Sequence, residues 1–154
     1  MLEKLVDGTG YRFQWMDDME AYYLTHAAMI LPIVYVSYAC GCNLRKASLA
    51  QRRAILDATA EACDVLKIKG IRIQPDGDDA YFRKGVKRLL MATVYFVMAK
   101  TKFGELAATD HCKNAPEEMR FLDEKFNSFL ADAKSQMPVW EQLRHDSGLQ
   151  SMSI

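Results

Sequence analysis

The stretch Ala21-Tyr22-Tyr23-Leu24-Thr25-His26-Ala27-Ala28-Met29-Ile30-Leu31-Pro32-Ile33-Val34-Tyr35-Val36-Ser37-Tyr38-Ala39-Cys40-Gly41-Cys42-Asn43-Leu44 carries no formally charged residue over 24 positions. A membrane-spanning helix needs about 20 predominantly apolar residues, so this stretch decides between a bilayer and a protein interior. It contains Thr25, His26, Pro32, Ser37, Gly41 and Asn43, and its longest part free of Ser, Thr, His and Asn runs only from Ala27 to Val36. The expectation is a buried helix, apolar on all sides and therefore set in the middle of a helical bundle. Asp17 or Asp18 is placed to cap its start, and Gly41 to stop it after about Ala39. Pro32 removes a backbone donor inside it and is expected to kink it.

Outward from this helix the sequence reads helical at almost every informative point. Ser48-Leu49-Ala50-Gln51 is a capping-box pattern that opens a second helix, with Ile55, Leu56, Thr59, Cys63 and Leu66 at helical spacing up to Gly70. Ile71 to Pro75 reads as a short extended connector, followed by a turn through Gly77. Asp78 and Asp79 suit the start of a third helix, which carries a second apolar run from Leu89 to Ala99 and ends near Thr101. A short helix is expected around Gly104 to Asp110. Another starts at Asn114-Ala115-Pro116-Glu117, with Asn114 as cap, Pro116 in the first turn and Glu117 at the capping-box position. Met119, Leu122, Phe126, Phe129, Leu130 and Ala133 form its apolar stripe, and Pro138 begins a last helix through Trp140 and Leu143. The fold class is all-α, a bundle of about five to seven helices. Its expected organisation is a lead-in over 1–16, extended at Tyr11 to Trp15, a helical domain over 17–146 and a frayed tail over 147–154.

Composition narrows the function classes. The chain has 154 residues, half of them apolar, and a formal net charge of zero. That suits one domain with a substantial core. Nine basic and nine acidic residues precede Gly77, so eleven of each remain from the totals of 20 and 20. Neither half has the basic surplus that phosphate-backbone binding uses, so a nucleic-acid partner is not expected. Nor is a membrane partner, given the core reading of Ala21 to Leu44. Charges interrupt the apolar residues of Met1 to Asp7, which therefore do not read as a signal peptide. Cys40, Cys42, Cys63 and Cys112 lack zinc or C-x-x-C spacing, and read as small core residues in a cytoplasmic protein. The nine methionines read as core filler, not a metal box. No Gly-rich dinucleotide fingerprint, phosphate loop, H-E-x-x-H or G-x-S-x-G is present.

Two segments carry a family likeness. Asp18-Met19-Glu20-Ala21-Tyr22-Tyr23-Leu24-Thr25-His26-Ala27-Ala28 with Leu31-Pro32 resembles the opening of the helical C-terminal domain of ketopantoate reductase-like proteins. His111-Cys112-Lys113-Asn114-Ala115-Pro116-Glu117-Glu118-Met119 is similar to a later segment of the same domain, and Gly70-Ile71 with Pro75 fits its connector. The likeness covers about Asp17 to Ala133. It implies the substrate-binding part of an NADPH-dependent oxidoreductase acting on a small 2-oxo acid, of the 2-dehydropantoate 2-reductase type in pantothenate biosynthesis. NADPH would be held by an N-terminal Rossmann domain that this chain lacks, so the chain itself is expected to hold no cofactor and to be inactive alone.

The resemblance also singles out positions. Such reductases present a lysine and two asparagines at K-x-x-x-N-x-x-x-N on the first helix, the lysine supplying a proton to the developing alkoxide. Anchored on Pro32, those positions are Tyr23, Ala27 and Leu31, or one residue on, Leu24, Ala28 and Pro32. His26 and Tyr23 are the candidate substitute acids. For His26 a hydrogen-bonded core role stands beside that one. Glu118, with Glu117 as neighbour, matches the acidic residue that meets the substrate hydroxyl, although first-turn acids also serve the helix dipole. His111 and Asn114 complete the substrate-binding candidates. Arg83, Lys84, Lys87 and Arg88 form a basic face, open to an anion or simply solvated, with Asp79 and Arg83 spaced as an i,i+4 pair. The competing expectation is a stand-alone helical binding or dimerisation module. The isolated domain is also expected to self-associate, a homodimer being one form open to it, since a surface shaped to face a Rossmann domain leaves apolar area exposed.

Overall fold

The computed structural model describes residues 7–10, 17–102, 105 and 109–151. Among them every regular element is helical. Six α-helices occur, α1 Met19–Ala39, α2 Leu49–Ile68, α3 Val86–Lys100, α4 Asp110–Asn114, α5 Pro116–Phe129 and α6 Pro138–Ser147. Short 3-10 turns cover Leu44–Lys46, Asp78–Tyr81, Ala131–Gln136 and Leu149–Ser151. No described helix is long and apolar enough to cross a membrane. Tyr11 to Trp15, and most of Gly104 to Asp110, lie outside the described residues.

α1 is the central element. The Asp18 carboxylate accepts from the Ala21 N–H at 2.9 Å, satisfying one of the unpaired donors of the first turn. The helix runs through the buried Pro32 and stops where Gly41 and Cys42 take left-handed φ values of 63° and 51°. Its side chains Ala27, Ala28, Leu31, Val34, Tyr35 and Val36 are buried. It packs against α2 and α6, with α5 and the short α4 also in contact. α2 starts at the anticipated capping box, in which Ser48 Oγ accepts from the Gln51 N–H and Gln51 Oε1 accepts from the Ser48 N–H. In the connector after α2, the Gln74 N–H donates to Thr25 Oγ1 at 3.2 Å, so a buried hydroxyl of α1 is satisfied there.

One polar cluster ties α1, α5 and α6 together. Asp123 on α5 is fully buried and accepts from Tyr35 Oη at 2.7 Å, Arg144 Nε at 2.8 Å and Arg144 Nη2 at 2.7 Å. Asn127 Nδ2 donates to Asp123 Oδ1 at 2.9 Å, while Asn127 Oδ1 accepts from Trp140 Nε1 at 2.9 Å. The indole can only donate, which fixes the amide orientation of Asn127. Trp140 packs edge-on against Tyr35 and tilted against Phe126. Burial, then the neighbouring Asp123 charge, pushes the Tyr35 phenol far above its ordinary value and keeps it a donor. From α2, the Glu61 carboxylate accepts from the N–H groups of Val139 and Trp140, at 3.0 and 2.9 Å, and so caps α6 across the bundle.

Four local expectations are corrected. The third helix starts at Val86, not at Asp78. Asp79 is turned inward to accept from Lys67 Nζ at 2.5 Å and Arg83 Nε at 2.9 Å, and Gly85, at φ 138°, interrupts the chain before Val86. The expected Asp79–Arg83 pair is therefore present, but its acid serves the 3-10 turn. Asn114 does not cap α5: it is the last residue of α4, and Ala115 precedes Pro116 with no side-chain cap. The capping-box role of Glu117 falls with it. The helix under the apolar stripe ends at Phe129, so Leu130 and Ala133 continue the stripe into the core from the following 3-10 segment. The tail is not frayed from Ser147: Ser147 Oγ accepts from the Leu149 N–H at 3.1 Å, and Leu149 is buried in the core, within the described part of the tail.

Two stability measurements test this frame. Asp123→Ala leaves the Arg144 charge without its partner and should cost about 3–5 kcal/mol in chemical denaturation. The control Glu124→Ala, in an exposed i,i+4 pair with Arg120, should cost less than about 0.5 kcal/mol. The second concerns Asp79: burial raises its carboxyl, but the hydrogen bonds from Lys67 and Arg83 outweigh that and hold it below the usual carboxylate range. A depressed folded value contributes stability that is complete above the unfolded value of about 3.9 and is lost as pH falls through the folded one. Asp79→Asn should therefore be less stable than wild type near neutrality, the two converging in acid; parallel stability–pH curves would refute the assignment.

Candidate functional site

The residues singled out by sequence do not converge. Tyr23 is 63 % exposed on the outer face of α1. His26 is exposed on the same helix and stacks on the Tyr22 ring, centroids 5.9 Å apart and planes within 8°. The core role for His26 is thus corrected: an apolar run without amphipathic phase gave no sign of which side faces out. Ala27, Ala28, Leu31 and Pro32, where a reductase would place polar side chains, are buried in the core, and Leu24 is packed against it.

At the other end, His111 Nε2 lies 3.6 Å from Glu118 Oε2, with both side chains about half exposed or more. Glu117 and Asn114 are exposed beside them. Tyr38 Oη donates to the Cys112 carbonyl at 2.8 Å, which sets this pair beside the last turn of α1. His26 is twelve residues earlier on that helix, about 18 Å along the axis. His111 and Glu118 are brought together; Tyr23 and His26 stand apart from them.

Two sizeable cavities lie elsewhere among the described residues. A polar one of about 190 Å³ lies between the Gly41–Lys46 turn and the end of α3, with Arg45, Lys46, Lys113 and Glu105 in its lining. The larger, about 440 Å³, is a groove between α2 and α3. Leu49, Leu56, Leu89 and Phe96 give it apolar walls, and Arg52 and Arg53 line it from α2. Arg52 stacks over the Phe96 ring at 5.1 Å.

The groove adjoins the least expected feature of the molecule. On α3 only Ala99 is buried, while Val86, Leu89, Leu90, Val94, Phe96 and Val97 are between 41 % and 86 % exposed. The run from Leu89 to Ala99 is therefore largely surface. Val86, Leu90 and Val97, with Thr93 between them, recur at 4, 3 and 4 residues and form one outward stripe. Sequence reasoning missed it because the inward side, with Met91, Tyr95 and Met98, is apolar as well. The basic face divides: Arg83 pairs with Asp79 and Asp64, and Arg88 with Asp57, while Lys84 and Lys87 remain exposed.

Burial pushes the Cys63 thiol up to about 12 and the Cys112 thiol up to about 11, and also raises Cys40 and Cys42. None is poised as a thiolate nucleophile. Among the described residues no group of three or more His, Cys, Asp or Glu side chains is arranged to hold a metal ion. Against known proteins, no family model, curated sequence or solved structure matches the chain.

Proposed function

We propose that this chain is a helical binding module whose working surface is the outward face of α3 together with the α2–α3 groove. The observation that carries the reading is the six large apolar side chains left uncovered on that one helix. Single exposed apolar residues are ordinary, whereas a contiguous apolar face of this kind marks an interaction surface. The frame beneath it is held separately, by the shared core of α1, α2, α5 and α6 and by the Asp123 cluster and the Glu61 cap. Binding at α3 would therefore leave the core unchanged.

A second reading, the substrate-binding half of an NADPH-dependent 2-oxo acid reductase, draws on the His111–Glu118 pair. That pair is where two residues picked out by the resemblance meet. Glu118 would then engage the substrate hydroxyl, and the α3 face would meet a nucleotide-binding domain. The buried side chains at the positions of the two reductase asparagines weigh towards the binding module.

The double variant Leu90→Glu, Val97→Glu tests the binding surface. Wild-type protein should be retained on a phenyl matrix, and the variant should elute earlier. Its denaturation midpoint should correspond to a change within about 0.5 kcal/mol, as for surface substitutions. Equal retention, or a loss of several kcal/mol, would show that these side chains belong to the core.

A further inference from the structure

The charge around α3 narrows what the surface binds, an argument that rests on the binding-module reading. From Ala80 to Gly104 there is no acidic residue, while Arg83, Lys84, Lys87, Arg88, Lys100 and Lys102 are basic. Arg83 and Arg88 are committed to carboxylates elsewhere in the fold. The four lysines make no ion pair among the described residues, and they bracket the apolar stripe, Lys84 and Lys87 at one end and Lys100 and Lys102 at the other. Arg52 and Arg53, also without a carboxylate partner there, add positive charge on the groove side.

We infer that α3 docks on an anionic lipid bilayer surface, its apolar stripe entering the boundary between headgroups and acyl chains. The lysine stems can lie along the apolar face while their ammonium groups reach lipid phosphates or carboxylates. At 15 residues α3 is about 22 Å long, short of the roughly 30 Å hydrocarbon core, so the helix lies in the interface plane and does not span. The stripe is also a convex ridge, which a fluid bilayer accepts without a matching groove. A second copy fits less well. Antiparallel pairing centred near Thr93 would set Lys87 of one copy against Lys100 of the other, and parallel pairing would set like residues together, with no acid in the span to offset either. The proposal replaces the sequence expectation of no membrane partner, which rests on Ala21 to Leu44.

The test is sedimentation of the full chain with vesicles of phosphatidylcholine alone, or with about one-third phosphatidylserine. Wild-type protein should partition to the anionic vesicles at least about tenfold more strongly, and about 0.5 M salt should release it. Leu90→Glu, Val97→Glu should abolish this partition through the apolar stripe. Lys84→Gln, Lys87→Gln, Lys100→Gln should abolish it through charge alone, with the fold checked by circular dichroism. Equal partition to both vesicle types would overturn the inference. Retention on the phenyl matrix without vesicle binding would also overturn it, while leaving α3 as a docking surface for protein; loss of both would remove the binding-module reading as well.

Discussion

The bundle depends on one buried carboxylate. Asp123 reaches α1 through Tyr35 and α6 through Arg144, and Asn127 extends the cluster to the Trp140 indole. A charge taken out of water is costly unless its lone pairs are filled by well-placed donors, and here a bidentate guanidinium and a phenol supply them. These directional bonds fix the register of three helices that apolar packing alone would leave free to slide. The Glu61 cap on α6 then brings α2 into the same frame, so the four main helices are tied by polar contacts as well as by their core.

What that frame does not do is cover α3. The helix reaches the body through α2 and two short 3-10 turns, with Arg88 bridging to Asp57 and to the Phe82 carbonyl. Its inward side holds it to the body, and its outward side is apolar without a partner among the described residues. The buried Asp123 cluster lies among α1, α5 and α6, and six of the exposed large apolar side chains lie together on α3. That division separates stability from binding: substitutions along the outward stripe of α3 can alter recognition while the Asp123 cluster continues to hold the fold.

Local signals in the sequence were readable because their physics is local. Asp18 and Ser48 cap helices through bonds to residues three positions away, and Gly41 and Gly70 end helices through their own left-handed backbone. The all-helical class and the central place of α1 followed from such signals together with the uncharged run. The Asp123 cluster was not legible, since Tyr35 and Asp123 are 88 positions apart, and Glu61 and Val139 are 78 apart. The candidate site fared similarly. His111 and Glu118 lie close in sequence and meet in the structure, whereas Tyr23 and His26 sit on a helix whose apolar run has no phase to show an exposed side. α3 misled for the same reason: apolar residues on both faces read as core when only one face is covered.

If a stable core presents α3 for docking, amide hydrogen exchange of the full chain, measured with and without phosphatidylserine-containing vesicles, separates α3 from the core helices. In the free protein the amides of 86–100 should exchange well before those of 19–39 and 49–68, and vesicles should slow exchange over 86–100 while leaving the core helices unchanged. Equal protection of α3 and α1 in the free chain, unaltered by vesicles, would contradict it.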